Sequence, residues 1–518
     1  MKSGFFPTGN PQEPFLFRVK KAQLATAKAS AGTSTGHGGQ RQLFLLLLLA
    51  VAAALSFYRL GAKDLWLDEA ISIYIARLDW ARMWKLMSTK DPNMGLYYVL
   101  LHFWLRQFGT AEFAVRSLSA ILAVASLIPV YAIGGRLFGR NTGFLAALLL
   151  TVNAFLIHYA QETRSYALFL LLAATASYLF LRALDSSSAK TWVLYSLVAA
   201  LCVYAHFFAV WMIAAHFVSA IAFRSGRVLR REFIGSHVLI ACLASPLLVP
   251  ILIPGMYSLQ LGWLAKPSLA SLADFFLVLT GYGGLLLICI YAAALAYGLF
   301  STWTQRSRDR FKTWAYAFLF TWLFLPVTAS FLFSIILKPI FVPRYLITSL
   351  PPLVLITAAG LQNLRPAWWK LAVVLLLLAL SSQSLMDWYA EGGKFKREAW
   401  RAATSYLLAN SRGTDGVMFE QGFSRIPFEY YLQELHPQTI LAKPVWPSAP
   451  WGKFDKTNWG PWPSIKQQDY RRLWRVLLYE PASVTDSRWL PRNSNGEYCL
   501  MHRQSFPFIQ VILYQTCP

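Results

Sequence analysis

The chain has 518 residues, 56% of them hydrophobic and 14% charged, with a formal net charge of +24. Soluble globular chains carry about 25% charged residues, so this composition excludes an ordinary water-facing surface. The positive charge suggests a nucleic-acid partner, but its distribution argues against one. The basic clusters Arg224-Ser-Gly-Arg227-Val-Leu-Arg230-Arg231 and Arg306-Ser-Arg308-Asp-Arg310-Phe-Lys312 are wedged between apolar runs, as cytoplasmic loops between membrane spans are.

Residues 1–41 are polar and rich in Ala, Gly, Ser, Thr and Lys, which predicts a disordered cytoplasmic leader. Apolar runs then recur from residue 43 to 388. With their flanks most approach the roughly 17–25 residues that cross a hydrocarbon core about 30 Å thick. Lipid offers the backbone no hydrogen bonds, so such runs must be helices. The predicted spans are 43–59, 117–135, 143–157, 165–181, 191–204, 207–223, 233–255, 283–302, 313–337, 345–361 and 370–388. The first lacks a small-residue cleavage site and reads as an uncleaved span. With the basic loops held in the cytoplasm, residues 60–94 form a first external loop. Its stretch from Ile71 to Trp84 is amphipathic and suited to lying at the interface. Residues 158–164, 204–206, 258–282 and 338–344 are also expected outside. Gly95–Phe108 is apolar but marginally long; as a full crossing it would flip every later loop, so it is taken as a partial or tilted helix.

Residues 389–518 change character, becoming charged and rich in Pro and Trp. A helix is predicted over Arg397–Leu408, with strands at Gly416–Phe419, Trp474–Tyr479 and Phe508–Tyr514. The organisation is therefore a leader (1–41), a polytopic all-α membrane domain (42–388) and a small extracytoplasmic α/β domain (389–518). Cys202, Cys242 and Cys289 lie in apolar runs and read as small core residues. Cys499 and Cys517 would meet an oxidising compartment, where a disulfide persists, although a simple hairpin register need not bring them together.

Four polar groups fall on the same predicted face. They are Asp64-Leu-Trp-Leu-Asp68-Glu69-Ala-Ile-Ser72, His158-Tyr-Ala-Gln161-Glu162-Thr-Arg164-Ser-Tyr166, Tyr204-Ala-His206-Phe-Phe, and Pro343-Arg344-Tyr345 shortly after Lys338. Each residue alone also fits a bland role: a solvated acid, an interfacial arginine, a satisfied turn histidine. Ionisable groups at membrane depth are costly, however, and generally mark function or pair with each other. A carboxylate can act as general base on an incoming hydroxyl, and the guanidinium fork pairs bidentately with phosphate oxygens. Together they fit transfer from a phospholipid-linked group.

Trp66-Leu-Asp68-Glu69-Ala70, Tyr97-Tyr-Val-Leu-Leu-His102-Phe-Trp, Phe108-Gly-Thr-Ala-Glu112-Phe-Ala-Val-Arg116, Arg136-Leu-Phe-Gly139 and the His158–Tyr166 segment occur in this order. With Tyr204-Ala-His206-Phe-Phe and Pro343-Arg344-Tyr345-Leu, they resemble the bacterial branch of the protein mannosyltransferase superfamily, which includes the aminoarabinose transferase and RgtA-like types. The resemblance covers roughly residues 60–390. It implies a GT-C fold with about 11–13 transmembrane helices in a bacterial inner membrane, and a polyprenyl-phosphate sugar donor. It further implies an inverting displacement onto an extracytoplasmic lipid, glycan or protein acceptor. Residue by residue, Asp68 matches the catalytic acid that would deprotonate the acceptor hydroxyl, with Glu69 as a second catalytic residue supporting it. Arg344 and Tyr345 match the pair near the donor phosphate, with Arg164 beside them. Glu162 with Arg164 matches the Gln-Glu-x-Arg segment; His158, Tyr166 and His206 are further candidates. Some relatives use a divalent cation; the sequence has no dense ligand motif, and His158 or His206 would be the candidates. The rival class is a lipid or sugar transporter or flippase. It is disfavoured because the charges gather at one face rather than the midplane and no internal repeat is visible.

Overall fold

The computed structural model describes residues 37–517 apart from residue 90 and residues 186–187, 224–230, 253–263, 306–308, 391–395, 420–421, 436–443, 447–469 and 480–497. Residues 1–36 of the expected leader and the basic residues 224–230 and 306–308 thus lie outside the described residues. The membrane domain runs α1 (His37–Phe57), α2 (Leu67–Arg77), α3 (Trp80–Thr89), α4 (Gly95–Phe108), α5 (Glu112–Leu137), α6 (Arg140–Thr151) and α7 (Ala154–Ala160). It continues through α8 (Tyr166–Asp185), α9 (Ala189–Ala205), α10 (Ala209–Phe223), α11 (Arg231–Leu252), α12 (Leu269–Leu279), α13 (Gly284–Gln305) and α14 (Arg310–Ile336). A 3₁₀ turn, Pro343–Ser349, then leads into α15 (Leu350–Gln362) and α16 (Ala367–Tyr389).

Each predicted span meets a helix, and the chain is a multi-pass membrane protein. Among the described residues seven helices are long and apolar enough to cross alone, or up to eight if the bent pair α6–α7, with its 63° break, counts as one. The shorter apolar helices Gln42–Phe57, Ala189–Ala205 and Ala209–Ile221 account for the remaining predicted spans. Residues 37–41, expected in the leader, already belong to α1. The helices pack closely where side chains are small. A Cβ on Gly143 would lie 2.3 Å from the Tyr131 carbonyl oxygen, and one on Gly134 would lie 2.6 Å from the Gly143 Cα. Small residues let membrane helices approach to this distance.

Three expectations need correction. The stretch Ile71–Trp84 is not one interfacial helix, because it breaks after Arg77. Ile71, Ile73, Ile75 and Ala76 of α2 are buried in the core, while Trp80 and Trp84 of α3 are exposed. Cys242 and Cys289 are exposed rather than core residues; Cys202 is buried as expected. The helix expected over Arg397–Leu408 begins three residues later. It is α17 (Trp400–Asn410), which leaves residues 396–399 as an irregular connector.

The C-terminal region adds α18 (Arg425–Leu435) and a five-stranded sheet in the order β2-β1-β3-β5-β4. The strands are β1 (Gly416–Phe419), β2 (Pro444–Trp446), β3 (Arg472–Leu478), β4 (Tyr498–Phe506) and β5 (Ile509–Thr516). The β1–β3 pair is parallel, whereas β3–β5 and β4–β5 are antiparallel. β4 carries a register shift between Leu500 and His502, and Cys499 is disulfide-bonded to Cys517.

Candidate active site

The loop after α1 is organised around one arginine. Arg116, on the first turns of α5, is 1% exposed. It donates to the backbone oxygens of Leu60, Lys63 and Asp64 at 3.1, 2.7 and 3.0 Å. It also grips both oxygens of Glu69, at 2.8 and 2.7 Å. Three loop carbonyls and a buried carboxylate are thereby satisfied at once. Glu69 further accepts from the Thr163 amide at 2.9 Å and from Arg397 at 2.9 Å. Burial pushes its carboxyl up, but the Arg116 and Arg397 charges outweigh that and hold it at about 2.

Asp68 and Glu69 sit in the first turn of α2, where negative charge complements the helix dipole. No local side chain caps this helix. Its Leu67 amide instead donates to Glu398 of the connector, at 2.9 Å. Asp68 faces away from Glu69. Its Oδ2 lies 3.7 Å from Arg164 and 3.8 Å from Arg344, and its side chain is 24% exposed. Arg164 also donates to the Asp68 carbonyl and to Ser72, each at 3.3 Å. Burial is the largest influence on the Arg164 guanidinium, yet nearby negative charge, Asp68 first, holds its titration above the usual range.

The remaining candidates join this cluster. His158 Nε2 lies 2.9 Å from Glu162 and its ring stacks on Trp388 at 4.2 Å. Glu162 receives Arg397 at 3.1 Å, so one connector arginine bridges Glu69 and Glu162. Tyr345 stacks on Tyr166 at 6.4 Å and meets His206 at 4.9 Å. Arg344 lies 5.6 Å over the Tyr345 ring and 5.5 Å over Trp66. His206 is 1% exposed. Burial first, and then the charges of Arg164 and Arg344, lower its imidazole to about 3, so it is neutral.

Part of this cluster lines a cavity of about 240 Å³, bordered by Trp66, His158, Tyr159, Glu162, Arg344 and Trp388 on the membrane-domain side. Lys396, Arg397, Glu398, Tyr479 and Phe508 close it from the C-terminal side. Glu162 Oε2, Arg164 Nε, Tyr166 Oη and Trp66 Nε1 are buried without a hydrogen-bond partner among the described residues. Buried polar atoms left open in this way indicate a ligand or ordered water. A divalent cation fits poorly. Among the described residues no three His, Cys, Asp or Glu side chains converge, and Asp68 has two guanidiniums as neighbours.

Several members of this cluster carry little signal in the sequence. Arg116 stands in a quoted motif without an expected role, although an arginine inside an apolar run is itself a signal. Asp91 accepts from Tyr98 at 2.7 Å, and burial raises its carboxyl. Lys396, Arg397 and Glu398 lie past the last span, where nothing in the local sequence points back to the first loop.

Residues 91–253 match the family model of the dolichyl-phosphate-mannose-protein mannosyltransferases. No curated protein matches this chain. Among solved structures the chain is similar to ArnT from Cupriavidus metallidurans in the apo state. The TM-score is 0.60 at 13% identity, over 91% of this chain and 98% of ArnT. ArnT bound to undecaprenyl phosphate gives 0.58 at 12% identity, over 90% and 97%. This is the GT-C fold. The likeness takes in the C-terminal region, which the sequence motifs did not reach. Arabinofuranosyltransferase AftD from Mycobacteria gives a TM-score of 0.51 at 15% identity, over 92% of this chain and 40% of AftD.

Proposed function

We propose that this GT-C protein is a glycosyltransferase that moves a monosaccharide from a polyprenyl-phosphate carrier to a hydroxyl of an extracytoplasmic lipid, glycan or protein. The observation that carries the reading is Asp68, held between Arg164 and Arg344 at 3.7 and 3.8 Å, beside a cavity that Arg344 lines. The family match and the fold shared with ArnT, which has been solved with undecaprenyl phosphate, support it.

The chemistry follows from the charges. The two guanidiniums offer forked donors to a phosphodiester, and a phosphate that takes them releases Asp68 from its present neighbours. Asp68 then accepts the acceptor hydroxyl's proton as its oxygen bonds to the anomeric carbon. The bond from that carbon to the phosphate oxygen breaks, and the leaving phosphate keeps the electron pair against Arg344 and Arg164. Inversion places the base opposite the leaving group. The sequence separates the first loop from Arg344, whereas in the fold Asp68 lies beside it. An inverting step therefore needs the phosphate to bind on the face of the two guanidiniums turned away from Asp68. Glu69, enclosed by Arg116, Arg397 and Thr163, holds the helix rather than meeting substrate. His206 and Tyr345 pack behind Arg344 and Tyr166.

The test is release of polyprenyl phosphate by purified protein supplied with polyprenyl-phosphate sugars and an envelope extract as acceptor source. Release that depends on Asp68 supports the reading. Movement of the intact sugar-lipid across a vesicle membrane, without release, would replace it with a flippase. Mass spectrometry of envelope glycolipids and glycoproteins from a deletion strain then names sugar and acceptor.

A further inference from the structure

Two aromatic residues of the C-terminal region line the cavity, and both have backbones that their side chains disfavour. Tyr479, just past β3, sits at φ 61°, and Phe508, in the β4–β5 turn, sits at φ 63°. Phe506 pairs with Ile509, so Pro507-Phe508 is a two-residue hairpin loop. Proline fixes φ near −65°. The following residue, at φ 63°, sits in the left-handed region that favours Gly or Asn. A bulky aromatic there is an outlier, and such outliers gather at ligand sites. The two are coupled. The Tyr479 amide donates to the Phe508 carbonyl at 2.9 Å and the rings meet edge-on at 5.9 Å. They remain 53% and 47% exposed.

We propose that Phe508 and Tyr479 form the wall on which the sugar ring of the polyprenyl-phosphate donor stacks, so that the C-terminal region selects the sugar. The inference rests on the donor reading above and assigns a subsite to it. The anomeric carbon of such a donor is one ester oxygen away from phosphorus. A phosphate on Arg344 therefore places the ring in the cavity that Arg344, Tyr479 and Phe508 all line. The negative face of an aromatic ring suits the C–H face of a sugar. A prenyl chain fits this space poorly, because Glu162, Lys396, Arg397 and Glu398 also line it and a hydrocarbon would displace water from charged groups without offering them a hydrogen bond. The wall is also tied to the base. Tyr479 donates its hydroxyl to Glu398, which in turn accepts from the Leu67 amide at the start of the helix carrying Asp68.

The experiment measures binding of full-length protein in nanodiscs to bare undecaprenyl phosphate and to the same lipid carrying glucose, galactose, mannose or arabinose. Wild type is expected to prefer at least one sugar-bearing lipid to the bare one. Phe508→Gly should reduce that preference roughly tenfold and leave bare-lipid affinity unchanged. Its melting temperature should hold or rise, since glycine relaxes the backbone. Phe508→Tyr should retain the preference and Phe508→Leu should lose it. A wild-type preference in Phe508→Gly overturns the wall, as does an equal loss for bare and sugar-bearing lipid. A lower melting temperature with preference intact would make Phe508 a folding residue and also overturn it. If wild type itself binds none of these lipids, the donor reading fails, and the defect then lies in the unsubstituted chain rather than the variant.

Discussion

On one side of helix α2, Glu69 is fully buried and receives four hydrogen bonds from Arg116, Thr163 and Arg397. On the other side Asp68 keeps a quarter of its side chain exposed, with Arg164 and Arg344 at 3.7 and 3.8 Å. The two acids are adjacent in sequence and share one helix turn, so the difference comes entirely from what the fold sets against each. A carboxylate enclosed by four donors has nothing left for a substrate. One held by charge at slightly more than hydrogen-bond distance can exchange its partners. Glu69 thus belongs to architecture and Asp68 to chemistry, a contrast that can be broken in several places.

The largest effect should follow from Arg116→Leu. Removing one partner of a buried ion pair costs about 3–5 kcal/mol because the other charge stays behind. Here three loop carbonyls also lose their donor. The variant should fail to accumulate as folded protein, read by detergent size-exclusion and melting temperature. A normally folded variant would mean that the loop has another anchor. Asp68→Asn is the counterpart: its fold and donor binding should persist while turnover falls about a hundredfold or more. Ordinary turnover at matched expression would move the base elsewhere, with Glu162 the first place to look.

How much of this was legible in the sequence depends on how local each signal is. Apolar runs set the helices directly, because lipid leaves the backbone no alternative, and strands β1, β3 and β5 showed as short apolar stretches. β4, with Leu500 and Met501 exposed, lacks a buried face to betray it. Asp68, Arg164 and Arg344 stood out as charges beside spans, and the fold brings them together. Arg397 and Glu398 did not stand out. Their partners Glu69 and Leu67 are over three hundred residues away in the chain, and contact across that distance leaves no periodicity to read. The opposite duties of Asp68 and Glu69 were equally hidden, since an adjacent pair looks symmetric until its neighbours are placed.

A smaller effect is expected at Arg344. Arg344→Lys keeps the charge but loses the planar fork, so donor affinity should fall about tenfold or somewhat more. Lysine should leave the fold intact, because its ammonium keeps a positive charge beside Asp68. Wild-type donor affinity in this variant would reduce Arg344 to an interfacial anchor and remove one side of the Asp68 environment.

The effect most specific to the Glu69 side is acid sensitivity, which is absent at neutral pH and appears only as the carboxyl is protonated. Arg116 and Arg397 outweigh burial and lower Glu69 from an ordinary 4.5 to about 2. A carboxyl depressed in the folded state contributes stability above its unfolded value, and that contribution fades as pH falls through the folded one. Stability should therefore hold between pH 7 and 5 and fall progressively from about 4.5 toward 2. Glu69 contributes to that fall because its carboxyl binds a proton less readily in the folded chain than in the unfolded one. Melting temperature against pH in wild type and Glu69→Gln separates its share from that of other acids. Glu69→Gln should start lower, because Arg116 loses its counter-charge, and then decline less steeply below pH 4.5. Parallel curves would mean that the Glu69 carboxylate is not held by Arg116 and Arg397 in solution, and the contrast with Asp68 would collapse.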